Sequence, residues 1–325
     1  SYYGTHAFRA AGRRGEGAGG EDSVWDVPGL EAYHGEDVFL TEALTREARK
    51  ALRAAASTGK PFFMNFAPYA VHTPIMANER YLDGYGDLDE REAAYATLVE
   101  SVDAALGELV AELEALGQLE DTIIVYTSDN GGLSATGRGG EPHVHNAPLR
   151  SGKGSAYEGG TRVPWVIAWP GYTDDPTVCD DPVVTYDLFP SLLKWGRATL
   201  PAEHATTLDG VDLTPCLLGV PLPSRSLFWH QPHAWGPTGP GIWPFTSLRN
   251  GDLKLIYRHA KRDFELYDLR SDVSENRDLA AERPETVARL AEEMSVWIEE
   301  VDAQMSIDKE TSEPVELPRA SLRSL

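Results

Sequence analysis

The chain has 325 residues, 42% of them hydrophobic, which allows one large domain, or a large one with a smaller companion, around a sizeable core. Its 29 basic and 51 acidic residues leave a formal net charge of −22. That charge argues against nonspecific nucleic-acid binding, which needs a basic face, and any anion site must carry its own local cation. Of the basic residues 7 are lysine and 22 arginine; an acidic surface suited to high salt and an arginine-favouring genome both fit. The two cysteines, Cys179 and Cys216, lack CxxC or metal-ligand spacing, and one disulfide between them is an open option. No apolar run reaches membrane-span length.

In chain order, residues 1–35 are Gly- and Arg-rich and read as an irregular surface loop. Residues 36–57 carry apolar side chains at helical spacing, stopped by Gly59. Pro61–Phe66 is a short apolar strand running into the proline-fixed loop 67–74. A long helix follows over 90–116, with Tyr95, Leu98, Val102, Leu109 and Leu113 along one side. The β-branched run 122–127 then reads as a buried strand. Strand, helical crossover and strand in that order predict parallel pairing. A further strand is expected over 163–169 and a short helix over 187–195. Beyond about residue 223 three short strands, 226–230, 253–258 and 264–269, lie close enough in sequence to pair antiparallel. A helix over 284–303 closes the chain, and the polar tail after Gln304 is expected to be loose. The predicted class is α/β, a mixed, mainly parallel sheet flanked by helices, with a smaller C-terminal α+β subdomain. The boundary is expected between 1–222 and 223–325.

The strand at 122–127 stops abruptly at Ser128-Asp129-Asn130-Gly131-Gly132. Ligands of open α/β sheets sit beyond such strand ends. Asp129 and Asn130 offer hard oxygens there, suited to Ca²⁺ or Mg²⁺. Asn-Gly is equally a turn signal, and the segment alone leaves the two readings even. Lys153 stands between Gly152 and Gly154, where its ammonium can meet an oxyanion as a point charge; an ordinary surface lysine is the plainer alternative. His72 alone reads as a structural histidine, and His143 and His145 as members of a mobile surface loop.

Four segments in order, Pro-Tyr-Ala-Val-His-Thr-Pro (68–74), Thr-Ser-Asp-Asn-Gly-Gly (127–132), Pro-Leu-Arg-Ser-Gly-Lys-Gly (148–154) and Glu-Gly-Gly-Thr-Arg-Val-Pro (158–164), resemble the sulfatase family of the alkaline phosphatase superfamily. Asp187–Leu193, Phe228-Trp229-His230, Arg249–Ile256 and Glu265–Leu269 extend the resemblance to about residue 300. The resemblance implies an alkaline phosphatase-like fold and hydrolysis of sulfuric esters. It makes Asp129 and Asn130 metal ligands, for Ca²⁺ with Mg²⁺ as the alternative. It makes Lys153 and His72 catalytic, Lys153 contacting the sulfate and His72 the sulfate or its bridging oxygen. Fixed positive charge on the peripheral oxygens and a donor at the departing oxygen are what that reaction needs.

The family's nucleophile is a formylglycine made from Cys or Ser in Cys/Ser-x-Pro-x-Arg, and neither Cys179 nor Cys216 lies in such a motif. The resemblance therefore implies a sulfatase without its N-terminal portion, with the formylglycine expected in that preceding segment. Part of the sheet, half the metal ligands and turnover would be missing from this chain. The segment Trp229-His230-Gln231-Pro232-His233-Ala234-Trp235 mixes rings and histidines, as sugar-binding surfaces do, and marks His230 and His233 as substrate-binding candidates for a sulfated carbohydrate. The expected partner is a small-molecule or oligosaccharide sulfate ester, with no nucleic acid and no membrane span. The compartment is left open, with periplasmic or secreted preferred to cytoplasmic. Rivals are a phosphatase or phosphonate hydrolase of the same superfamily, and a pseudoenzyme or binding protein that keeps the pocket.

Overall fold

The computed structural model describes residues 27–33, 35–133, 141–173, 176–200, 208–236 and 238–324. They form two compact units: 27–122 with Glu141 and Pro142, and residues 123–133 with everything from His143 on. The loop expected at 1–35 lies mostly outside the described residues.

In the first unit helices α1 (Leu40–Ser57) and α2 (Glu90–Ala115) pack together. The Asp89 carboxylate accepts from the backbone N–H groups of Arg91 and Glu92, filling donors that a helix start leaves unpaired. Leu98, Ala105, Leu109 and Leu113 form the buried face of α2. Buried Glu112 joins the helices, 2.6 Å from Arg53 Nη2 and 2.9 Å from Arg49 Nε. Those hydrogen bonds, from Arg53 and then Arg49, hold its carboxyl down at about 2. The expected strand at 61–66 is extended, with exposure alternating residue by residue, but it joins no ladder among the described residues. A period-two pattern dictates extended backbone; a ladder also needs a neighbouring edge.

The second unit starts with β1 (Ile124–Thr127), paired antiparallel with β2 (Trp165–Ala168). The parallel pairing expected across α2, between 61–66 and 122–127, is not formed among the described residues; β1 takes β2 as its antiparallel partner instead. Among the described residues their connection holds only the four-residue helix α3 (Glu158–Thr161), not a long crossover. β1 is half-buried rather than buried, because Tyr126 and its cross-strand partner Val166 are both exposed.

After helices α4 (Leu188–Trp195) and α5 (Thr214–Leu217) comes a four-stranded antiparallel sheet, β3 (Ser226–Gln231), β4 (Phe245–Asn250), β5 (Leu253–Arg258) and β6 (Asp263–Asp268), in sequence order. Helix α6 (Pro284–Glu300) covers one face: Val287, Leu290 and Met294 meet Leu248, Leu255 and Leu266, all fully buried. The sequence reading missed β4, whose Phe-Thr-Ser-Leu-Arg-Asn has little apolar alternation. The tail after Gln304 is not loose. Met305 and Val315 enter the same core, and the Tyr257 hydroxyl donates to the Glu316 carbonyl at 3.0 Å. The expected 222/223 boundary falls inside this unit, since Tyr157 packs with Phe245, Ile256 and Tyr267 of the sheet.

Candidate active site

The site begins where β1 ends. Ser128 Oγ donates to the Asn130 carbonyl at 3.1 Å, and Asn130 Nδ2 donates to the Gly131 carbonyl at 2.9 Å. No partner among the described residues takes Asn130 Oδ1 or the Asp129 carboxylate. The Gly131 N–H donates to the Gly160 carbonyl, and the Lys153 N–H to the Gly132 carbonyl, each at 3.0 Å. These bonds draw three separate motifs together. They also explain Gly131: a Cβ there would sit 1.8 Å from the Gly159 carbonyl oxygen.

Beneath this turn lies a buried ion cluster. Lys254 Nζ is 2.9 Å from Glu158 Oε1 and 3.1 Å from Glu275 Oε1, and the Glu158 N–H donates to Glu275 Oε2 at 2.6 Å. Burial works to raise the Glu158 carboxyl, but Lys254, Arg249 and Arg162 bring it below the usual range; burial wins at Glu275, which is raised despite Lys254. The cluster anchors α3, whose Gly160 and Thr161 wall the cavity above.

That cavity, about 310 Å³, is lined by Asp129, Asn130 and Lys153 together with Trp229, His230 and Trp235. Lys153 Nζ lies 5.7 Å from the Trp235 ring centroid, within cation–π reach. Gly154, at φ +81°, lets the indole close down; a Cβ would be 2.3 Å from Trp235 Cε3. Local positive charge thus stands beside the Asp129 carboxylate, the Asn130 amide and two indoles, as an anion site in an acidic protein requires.

The structure brings four of the sequence candidates together: Asp129, Asn130, Lys153 and His230. His230 is engaged at both nitrogens, Nε2 to the Gln304 carbonyl at 2.9 Å and Nδ1 to Thr246 Oγ1 at 2.8 Å. A carbonyl only accepts, so Nε2 carries the proton. The ring therefore offers the cavity a surface rather than a free hydrogen-bonding tip. Thr246 Oγ1 is also 2.9 Å from His259 Nε2, and His259 Nδ1 is 2.7 Å from Ser306 Oγ. Burial lowers His230, opposed by the Gln304 carbonyl; burial and then His230 lower His259 to about 3. Sequence reasoning missed this chain because Thr246, His259 and Ser306 lie on segments with no shared motif. His233 is exposed and is not among the lining residues, although Gln231 and Trp235 on either side of it are. His72 lies in the first unit, exposed, with Nδ1 2.9 Å from the Thr73 carbonyl. His143 lies in a run of turns and is half-buried, its ring filling the space where a Gly239 Cβ would be.

The fold and cavity define an α/β protein whose cavity gathers a carboxylate, an amide, a lysine and two indoles at a strand end. The chain belongs to the sulfatase family: the Sulfatase family model matches residues 12–198. A sulfatase of Formosa agariphila is 29% identical over 309 residues, 88% of this chain and 55% of that protein. Human arylsulfatase A is 33% identical over 206 residues, 63% of this chain and 36% of that protein. The crystal structure of Ps i-CgsB in complex with k-i-k-neocarrahexaose superposes with a TM-score of 0.70 at 27% identity, covering 82% of this chain and 56% of that one. The fold is the alkaline phosphatase-like α/β fold of sulfatases. The chain spans about half, or less, of the length of these curated relatives. The family uses a metal ion and formylglycine. No helix among the described residues is long and apolar enough to cross a membrane.

Proposed function

We propose that this chain supplies the cation- and ester-binding part of a sulfatase acting on a sulfated carbohydrate. The observation that carries the proposal is the opening of Asp129, Asn130 and Lys153 into one cavity with Trp229 and Trp235. A carboxylate and an amide oxygen without partners among the described residues fit a hard divalent cation, Ca²⁺ first. When bound, that ion would offset charge on the sulfate oxygens. Lys153 holds the sulfate as a point charge, and the Trp235 indole fixes the direction of its stem. The two indoles offer flat apolar faces to a sugar ring. The Ps i-CgsB complex with k-i-k-neocarrahexaose, a sugar ligand, supports the carbohydrate reading. No Cys/Ser-x-Pro-x-Arg lies within the 325 residues, so this chain by itself is expected to hold the ester without cleaving it.

The test is a calorimetric comparison in calcium buffer of a sulfated galacto-oligosaccharide, its desulfated form and a phosphonate monoester. Sulfate-dependent binding is expected. Equal binding of sulfated and desulfated sugar, or preference for the phosphonate, would overturn the reading. Free sulfate accumulating in the same mixture would sink the statement that this chain lacks turnover.

A further inference from the structure

The protein's only two cysteines are separated by 36 residues in sequence, yet the fold brings them together. Cys179 lies on the exposed extended segment before α4, and Cys216 is buried in α5. Their Sγ atoms and a carboxylate oxygen of Asp181 all lie within 4.8 Å of one another. Asp181 is held in place, its Oδ2 accepting from the Leu222 N–H at 2.7 Å. Sequence spacing alone gave no metal motif, because the ligands come from two segments that meet only after α4 folds back.

We propose that Cys179, Asp181 and Cys216 form a structural site for a borderline-soft divalent cation of the zinc type. A disulfide would need only the two sulfurs and would leave the carboxylate facing them unexplained. A carboxylate beside two thiols disfavours thiolates unless a cation sits among them. Two thiolates and one carboxylate suit a tetrahedral d¹⁰ ion, with water completing the fourth position on the exposed Cys179 side. Burial, then Cys179, Asp181 and Asp187, push the Cys216 thiol up in the absence of an ion. Binding therefore exchanges two thiol protons for one cation, with no change of oxidation state. The ion would clasp the two ends of the α4 segment, where Trp195 Nε1 already donates to Thr214 Oγ1 at 3.0 Å.

The experiment is a titration of the reduced, full 325-residue chain with cobalt(II) in the absence of air. One equivalent is expected to give thiolate-to-cobalt charge-transfer absorption and the visible bands of a tetrahedral ion, both displaced by zinc. Cys179→Ser and Cys216→Ser should each abolish the charge-transfer bands of the pair. Asp181→Asn should weaken binding by at least roughly 10-fold. Asp129→Asn should leave the bands unchanged, which separates this site from the hard-oxygen one and from the sulfatase reading. Because a serine variant can misfold, alkylation is measured on the unaltered chain too: zinc should slow modification of both thiols. Absence of the bands, or alkylation rates indifferent to zinc, would overturn the proposal.

Discussion

Lys254 Nζ lies 2.9 Å from Glu158 Oε1, and both side chains are withdrawn from water. The lysine belongs to β5 and the glutamate to α3, beside the cavity wall formed by Gly160 and Thr161. The small sheet therefore supports the site from behind through a charge pair, besides lining the cavity with Trp229 and His230 of β3. Lys254→Ala strips Glu275 of its cation and leaves Glu158 only the longer pairs to Arg249 at 3.6 Å and Arg162 at 3.9 Å. Removing one partner of a buried pair typically costs about 3–5 kcal/mol. Urea unfolding of the variant should show a loss of that size; a loss below about 1 kcal/mol, the scale of an exposed pair, would mean the cluster is not sealed.

Acid should weaken the second unit before it weakens bulk solubility. His259 has an ordinary imidazole value of 6.5 and is lowered to about 3 in the fold. A lowered value means that the unfolded chain binds the proton more readily. Its stabilisation is full above 6.5, declines as pH falls below that value, and is gone once pH passes the folded value. The melting temperature should fall across that window, and His259→Gln should flatten the fall. A profile unchanged by the substitution would place the acid sensitivity elsewhere.

Gly154 is expected to resist substitution on two counts. Its φ of +81° disfavours any Cβ, and that atom would meet Trp235 Cε3 at 2.3 Å. Gly154→Ala should cost about 1–2 kcal/mol from the backbone alone and displace the indole. The intrinsic tryptophan fluorescence should change with it; an unaltered spectrum and unaltered stability would contradict the packing described.

Asp129→Asn should reduce calcium affinity by at least about tenfold, the scale of 1.4 kcal/mol, since it removes the charged member of the donor pair. Calcium titrated into the two proteins followed by heat of binding measures this. Equal affinity would move the cation site away from the end of β1.

The sequence disclosed the site's contents better than its surroundings. Local features left Asp129, Asn130 and Lys153 open between site and turn or surface lysine, and the order of four family-like segments is what singled them out. The long helix α2 was legible from its spacing, starting at Glu90 as expected. Pairing was less legible: β1 meets β2 antiparallel, and nothing in either strand encodes direction. β4 escaped notice because its buried Thr246 and Ser247 look like surface residues until His230 and His259 are seen around Thr246. Lys254 was a missed signal, one charge inside Leu253-Lys254-Leu255-Ile256, where only a buried counter-charge could make it tolerable. The tail misled for the opposite reason: its polar composition hides Met305 and Val315, which complete the sheet's core.

The central claim is that the cavity beside Lys153 holds a sulfate ester with the help of a cation. Its most direct measurement is calorimetric titration of a sulfated oligosaccharide into the 325-residue chain and into Lys153→Ala, each with calcium and with a chelator. The account predicts binding that needs both the lysine and calcium, with the variant weakened at least about tenfold, or 1.4 kcal/mol. Binding of equal strength in the variant, or binding indifferent to calcium, would contradict it.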